Sequence, residues 1–463
     1  MALDTSKVAG GSGSWLRDSL GVGLKLGPGD VIEVVGLVLA SGVSSVLHAT
    51  HARPTINIAA TRLISASCLY SDAVTTDRLA PHLRGLGTTI FAEMSALAVA
   101  TGAINLGQGF PDVDGPAAIA EQAREAIRDG RGNQYPPGQG VPELRDAITA
   151  HQRQRYGIDL NSASEVLVTA GATEAIAAAM LALVDVGDEV IALEPYYDCY
   201  RAAITMARGR PVPVRLDAPE FRLSEQRLRD AVTDRTRLIV LNTPHNPTGA
   251  VLSRDELEAI ARVAIEHDLV VVSDEVYEHL AFDAPHLPMS TLPGMAERTL
   301  TISSSGKTFS FTGWKIGWAT GPAELVDAVR TTKQFLTFVS GGPFQYAMAY
   351  ALTEQMSWVE GLRESLADRR DQLTDGLASL GFIAHRPRGT YFVTTDIRPL
   401  GWSDADSFCR QLPERAGVVA VPCAVFYDHP GPAERALVRW TFSKQESVLS
   451  EALARLTAAS LAP

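Results

Sequence analysis

Cysteine is scarce in this chain of 463 residues: there are four, Cys68, Cys199, Cys409 and Cys423, widely separated and without the paired spacing of a zinc or iron–sulfur site. That excludes a disulfide-built scaffold and predicts isolated thiols in a reducing, cytoplasmic setting, with no metal. Basic excess is missing too. The net charge is -12 and the pI near 5.4, so neither a nucleic acid nor an anionic membrane is an expected partner. The acidic residues are dispersed, which solubility alone explains. No apolar stretch is long enough to cross a bilayer: Val34 to Leu47 is broken by Gly36, Gly42 and several serines and falls short of the roughly 18 to 20 residues required. It also lies too far in, and lacks the basic flank, for a signal peptide. Repeats and low-complexity tracts are absent beyond Gly10-Gly11-Ser12-Gly13-Ser14.

What is present is an ordinary globular balance, 46% hydrophobic and 20% charged, in a chain long enough for more than one core. Residues 1–75 carry no recognisable chemistry and are expected to be a poorly ordered extension, with translation beginning near Val74. From Asp77 the signals become dense. Helical spacing of Ile90, Phe91, Met94, Leu97 and Ala98 predicts a helix from Thr88 to Thr101, and further helices are expected over Pro116–Asp129 and Val141–Tyr156. Strand and helix then alternate: Val166–Thr169, Thr173–Leu183, Glu189–Leu193, Tyr197–Ala207, Pro211–Val214, Arg237–Leu241, Arg254–Glu266, Leu269–Ser273 and Thr299–Ser303. Short, nearly continuous apolar strands of this kind belong to a mostly parallel sheet covered on both faces. Helical pattern dominates Glu324–Leu380, and a smaller α+β domain with strands Tyr391–Thr394 and Leu437–Phe442 should follow.

Ligands of such sheets bind at the carboxyl ends of the strands. Lys307 stands there, in Ser303-Ser304-Ser305-Gly306-Lys307-Thr308-Phe309, with Lys315 downstream in Gly313-Trp314-Lys315-Ile316-Gly317-Trp318. Either this is a polar loop that contains lysine, or an amine is held where it can attack a carbonyl while hydroxyls and Lys315 hold a phosphate. Other strand ends carry Gly171-Ala172-Thr173, whose amides suit a phosphate, and Tyr197, a stacking or a packing aromatic. Two more carry Asn242-Thr243-Pro244-His245-Asn246-Pro247 and the carboxylate Asp274, which needs a cationic partner if buried. Gly109 sits in a glycine-rich turn at Ile104–Asp112.

In this combination and order the chain resembles the pyridoxal-phosphate-dependent aminotransferases of fold type I, class I/II, with the kynurenine and N-succinyldiaminopimelate aminotransferase branch the nearest. The resemblance runs from about Asp77 to the end and rests on Asn105–Asp112, Gly171–Ala175, Asn242–Gly249, Asp274–Tyr277, Ser304–Trp318 and Val438–Lys444. It implies an α/β fold, a large domain (121–350) with a mostly parallel mixed sheet flanked by helices, a small α+β domain (351–463), and an arm with part of the small domain (76–120). It further implies the cofactor pyridoxal 5'-phosphate, with Lys307 as its covalent anchor and proton carrier and Asp274 on its ring nitrogen. Tyr277 and Asn246 would bond its phenolic oxygen and Tyr197 would stack on the ring. Ala172, Thr173, Ser304 and Lys315 would hold the phosphate, joined by Tyr135 reaching over from the neighbouring subunit of a homodimer. Arg439, otherwise a surface ion-pair residue, would take the substrate carboxylate, assisted by Asn242 and Gly109. Phe91 and Phe338 are pocket or packing residues. The implied reaction is ping-pong transfer of an amino group from an α-amino acid to a 2-oxo acid, with 2-oxoglutarate the expected acceptor. An N-succinyldiaminopimelate donor would set it in lysine biosynthesis; kynurenine, glutamine, methionine or an aromatic amino acid are the other donors left open. A cysteine-conjugate β-lyase and a non-catalytic effector-binding regulator are the alternatives.

Overall fold

The computed structural model describes residues 78–463 and, as backbone, the two strands Ile32–Leu39 and Gly42–Ala49. Those two strands pair antiparallel, Ile32 opposite Ala49 and Leu39 opposite Gly42. The expectations for the rest of residues 1–75, for Val74 and for Cys68 lie outside the described residues. Cys199, Cys409 and Cys423 are free thiols.

A seven-stranded mixed sheet organises the larger unit. Its spatial order is Val166–Thr169, Gly317–Thr320, Thr299–Ser304, Val270–Asp274, Thr236–Asn242, Glu189–Glu194 and Arg210–Arg215. Only Gly317–Thr320 runs against its neighbours; the other pairings are parallel. The central strands are buried on both faces, as helices on both sides require, and this is why they read as unbroken apolar runs. The predicted strands match to within two residues at either end. Gly317–Thr320, by contrast, carried no strand signal of its own.

Helices cover the sheet for reasons visible locally. Arg254–Glu266 starts at a capping box: the Ser253 hydroxyl accepts from the Glu256 N–H (3.3 Å), and the Glu256 carboxylate accepts from the Ser253 N–H (2.8 Å). Its inner face buries Leu257, Ile260 and Val263. Gly171–Leu183 is lined with alanines, which lets it lie close against Leu167, Ile302 and Ala319 of the sheet. The expected helical region from Glu324 is three helices, Ala323–Lys333, Gly342–Glu354 and Met356–Ser379. The first break falls at Gly341, whose φ of 59° and whose absent Cβ, which would lie 2.4 Å from Ile316 Cδ1, demand glycine. No helix among the described residues is long and apolar enough to cross a membrane.

A second, four-stranded antiparallel sheet takes the order Ile383–His385, Phe392–Asp396, Leu437–Thr441 and Val421–Pro422. Ile104–Asn105 pairs in parallel with Val418–Val419. Through that pairing the glycine-rich turn after Asn105 is joined to the C-terminal part of the chain.

Candidate active site

Where the carboxyl ends of the central strands meet the second sheet there is a cavity of about 520 Å³. Lys307, Asp274, Tyr277, Asn242, Asn246, Tyr197, Gly109, Phe91, Ala172, Thr173, Ser304, Lys315 and Arg439 all line it. Thus thirteen of the expected site residues, drawn from positions 91 to 439, share one wall.

The lysine follows directly from the strand that precedes it. Thr299–Ser304 is buried throughout, and the chain then makes a single helical turn, Ser305–Thr308. Gly306 permits that turn: a Cβ there would lie 2.9 Å from the Thr312 Cα. Lys307 Nζ donates to the Tyr391 hydroxyl at 3.0 Å, and that hydroxyl donates to the Gly109 carbonyl at 2.7 Å. The amine also lies 5.6 Å from the ring centres of both Tyr277 and Tyr391.

Asp274 ends its strand fully buried. It accepts from the Tyr200 hydroxyl at 2.5 Å and from the Val276 N–H at 3.3 Å. Burial raises its pKa to about 6, against these two hydrogen bonds and the nearby Lys307 charge. No side-chain cation hydrogen-bonds it among the described residues, so an acceptor is available for a cationic group entering the cavity. Asn242 braces this end: its amide donates to the Asp274 carbonyl (2.8 Å) and its oxygen accepts from the Asn246 N–H (2.7 Å). Both polar ends of Asn242 therefore bind backbone, which fixes Asn246 beside the cavity that Asn242 also lines.

A second polar end lies at the start of the helix Gly171–Leu183. No side chain caps it at Ala170, which leaves first-turn amides at a positive helix end. Gly171 has φ 74°, and a Cβ on it would come within 3.1 Å of Lys315 Nζ, so the ammonium lies beside those amides. Gly317 allows the close approach, since its Cβ would meet the Gly171 carbonyl carbon at 2.7 Å and the Ala172 nitrogen at 2.8 Å. Together with Ser304 and Thr173 these form a donor set suited to a phosphate.

Arg439 stands in the strand Leu437–Thr441, opposite Thr394 and Val421. It is 1% exposed, which rules out the surface ion pair. Nη1 donates to the Asn246 side chain (2.9 Å) and Nη2 to the Gly107 carbonyl (2.8 Å). The guanidinium lies over Phe392, Phe91 and Phe426 at 4.1, 4.9 and 5.1 Å. Burial lowers its pKa to about 10, still a cation at neutral pH. Its Nε has no partner. A guanidinium with five N–H groups and two neutral partners is an open site for a carboxylate.

Tyr135, expected at a neighbouring subunit's cavity, is 81% exposed, and its ring meets Phe338 edge-on at 5.4 Å. Phe338 is not a wall of this cavity. With φ 62° and its carbonyl held by Lys333 Nζ at 2.7 Å, it is turned out towards Tyr135. Conversely, Tyr391, Tyr200, Asp198 and Phe392 belong to this site and went unrecognised. The doublet Tyr391-Phe392 after Gly389-Thr390 reads as the start of a strand, and nothing in that stretch shows that it faces a lysine 84 positions earlier.

The family model for aminotransferase class I and II matches residues 101–456. A probable N-succinyldiaminopimelate aminotransferase of Mycobacterium tuberculosis is 53% identical over 394 residues, covering 83% of this chain and 98% of that protein. The solved structure of N-succinyldiaminopimelate aminotransferase from the same organism superposes with a TM-score of 0.80, covering 82% of this chain and 99% of that one. A methionine aminotransferase of Escherichia coli is 40% identical over 386 residues, covering 83% of this chain and 99% of that protein.

Proposed function

This chain belongs to the class I and II aminotransferases, and from that premise we propose that it moves the amino group of N-succinyldiaminopimelate to 2-oxoglutarate with pyridoxal phosphate bound in the cavity described above. The observation that carries the reading is the meeting of a lysine amine, a buried carboxylate lacking a hydrogen-bonded cation, and a buried arginine with an unpartnered Nε on one cavity. The donor is taken from the 53% identical mycobacterial protein.

The residues fit the cofactor. Asp274 offers a carboxylate for a pyridinium nitrogen, Tyr277 and Asn246 flank it for a phenolic oxygen, and Tyr197 offers a ring face. Lys315, Ser304, Thr173 and the amide of Ala172 are the phosphate donors. Pyridoxal phosphate, when bound, supplies an aldehyde that takes up the amino group and a ring that draws electrons from the bond broken at the substrate α-carbon. Asp274 would hold a proton on the ring nitrogen. Lys307 Nζ would hold the aldehyde and, when free, would take the α-proton as general base. Tyr391 accepts from that Nζ and is itself fixed by the Gly109 carbonyl, so the amine is aimed rather than free to rotate. Arg439 receives the α-carboxylate of donor and acceptor in turn, consistent with two substrates sharing one site.

The active unit in this reading is a homodimer. The support is Tyr135, exposed at 81%, beside the exposed Phe335 (83%), Phe338 (47%) and Leu336 (45%); an apolar patch of this kind marks a contact surface. Tyr135 then reaches the phosphate in the other subunit's cavity.

The test is an absorbance titration of purified, cofactor-loaded protein with each donor and no oxo acid. A complete shift of the cofactor band by N-succinyldiaminopimelate at lower concentration than by kynurenine or methionine is expected. A lower requirement for another donor replaces the substrate; pyruvate release from a cysteine conjugate without a band shift replaces the reaction by β-elimination; a protein that takes up no cofactor removes the reading altogether.

A further inference from the structure

Outside the cavity, a second group of ionisable side chains is buried between the helix Pro142–Tyr156 and the segment following Asp274. We propose that His151, Glu278 and His279 form a binding site for one divalent metal ion of the zinc class, clamping that helix to the turn that carries Asp274 and Tyr277.

The three residues are 5%, 3% and 3% exposed. Each brings one ligand atom to a common point, all within 4.8 Å of one another. His279 Nε2 lies 4.0 Å from a Glu278 oxygen, and the His151 and His279 rings meet edge-on at 5.0 Å. Zinc bonds of about 2.1 Å in a tetrahedron set ligand atoms roughly 3.4 Å apart, so side-chain rotation alone closes the group. The site is empty.

The hydrogen bonding argues for an ion. Neither nitrogen of His279 has a partner, and neither does Nε2 of His151. A buried imidazole normally satisfies at least one nitrogen, so unpartnered nitrogens on two histidines grouped with one carboxylate need an explanation. Glu278 accepts from the Ser303 hydroxyl at 2.5 Å. Its one ion-pair contact among the described residues is His279, at 4.0 Å. His286 is committed to Glu275 at 2.7 Å, and Arg155 to Glu360 at 2.7 Å. A buried carboxylate left without a fixed cation is costly. Two nitrogens and one carboxylate select zinc, cobalt or nickel over calcium and magnesium, which take oxygen ligands. Water or the buried Tyr156 hydroxyl can fill a fourth position.

The experiment uses tag-free, cofactor-loaded protein treated with a chelator, desalted, and given zinc or cobalt(II). About one ion retained per chain, visible cobalt bands of four-coordinate character, and a thermal midpoint a few degrees higher are expected. His151→Gln should lose all three while keeping its amino-transfer activity. Retention of no metal by the wild-type protein overturns the proposal. So does equal retention by wild type and His151→Gln, which assigns the ion to the cofactor or the surface. Should His151→Gln not fold, the wild-type stoichiometry and the cobalt spectrum decide: bands of six-coordinate, water-like cobalt count against the site.

Discussion

Asp274 separates what stabilises the polypeptide from what serves its chemistry. An acid whose neutral form is favoured by the fold binds its proton more tightly folded than unfolded, so stability falls as pH rises between the two values. Here they are 3.8 and about 6, a penalty of about 3 kcal/mol at neutral pH. Cofactor-free Asp274→Asn, which keeps an oxygen for Tyr200, should therefore unfold at a higher temperature than the cofactor-free wild type at about pH 8. The advantage should vanish by about pH 4, as differential scanning calorimetry across that range would show. With cofactor the order reverses, since the variant lacks the charge that holds the ring. Tyr391 makes a complementary case. Tyr391→Phe removes a hydroxyl bridging the amine and the Gly109 carbonyl, and a hydrogen bond to a charged group is worth about 1.5–3 kcal/mol. Steady-state kinetics should show kcat lower by about ten- to a hundredfold, with the cofactor still bound. Lys307 and Asp274 were legible in the sequence because one follows an apolar strand by three residues and the other ends one. Tyr391 and Tyr200 were not, because their roles are set by partners 84 and 74 positions away.

At the level of elements, what sequence reveals is periodicity, and what it hides is direction. The parallel strands announce themselves as Val- and Ile-rich runs between glycine- and proline-bearing turns. Gly317–Thr320 is four residues long and begins with glycine, so neither length nor β-branching marks it, and its antiparallel sense has no local signal at all. The contact between Gly317 and the helix start at Gly171 and Ala172 is equally silent. Gly317→Ala would place a methyl against backbone at 2.7–2.8 Å, which can be relieved only by moving the helix or the strand, at about 1–3 kcal/mol. The melting temperature should fall, and the phosphate end of the cofactor should be held more weakly. Equilibrium dialysis of cofactor against the variant would measure the second effect apart from the first. The buried cluster at His151 and Glu278 escaped notice for a similar reason: its members are neighbours only after the helix has packed.

For the whole molecule, the site as proposed is divided between two copies, and that division can be tested by mixing. Lys307→Ala and Tyr135→Ala homodimers should each be impaired, the first almost completely. Dissociated and reassociated together, they form mixed dimers in which one cavity receives both defects and the other neither. Activity should rise well above that of either parent; no rise on verified subunit exchange would place Tyr135 outside the partner's cavity. The strand Gly317–Thr320 has a consequence at this scale as well. Because it runs backwards, Gly317 lies beside Ser304 and Thr169, the last residues of the strands on either side. Lys307 and Lys315 are thus the two ends of one short loop that leaves the active edge and returns to it. Their spacing is set by a short segment with a helical turn at Ser305–Thr308 and a 3-10 turn at Thr312–Trp314, closed by the Ser305 hydroxyl donating to the Ile316 carbonyl at 2.8 Å. Surface loops elsewhere can lengthen at little cost, but one residue added or removed between Thr308 and Trp314 would slide one cation relative to the other, making this the stretch of the protein least open to insertion.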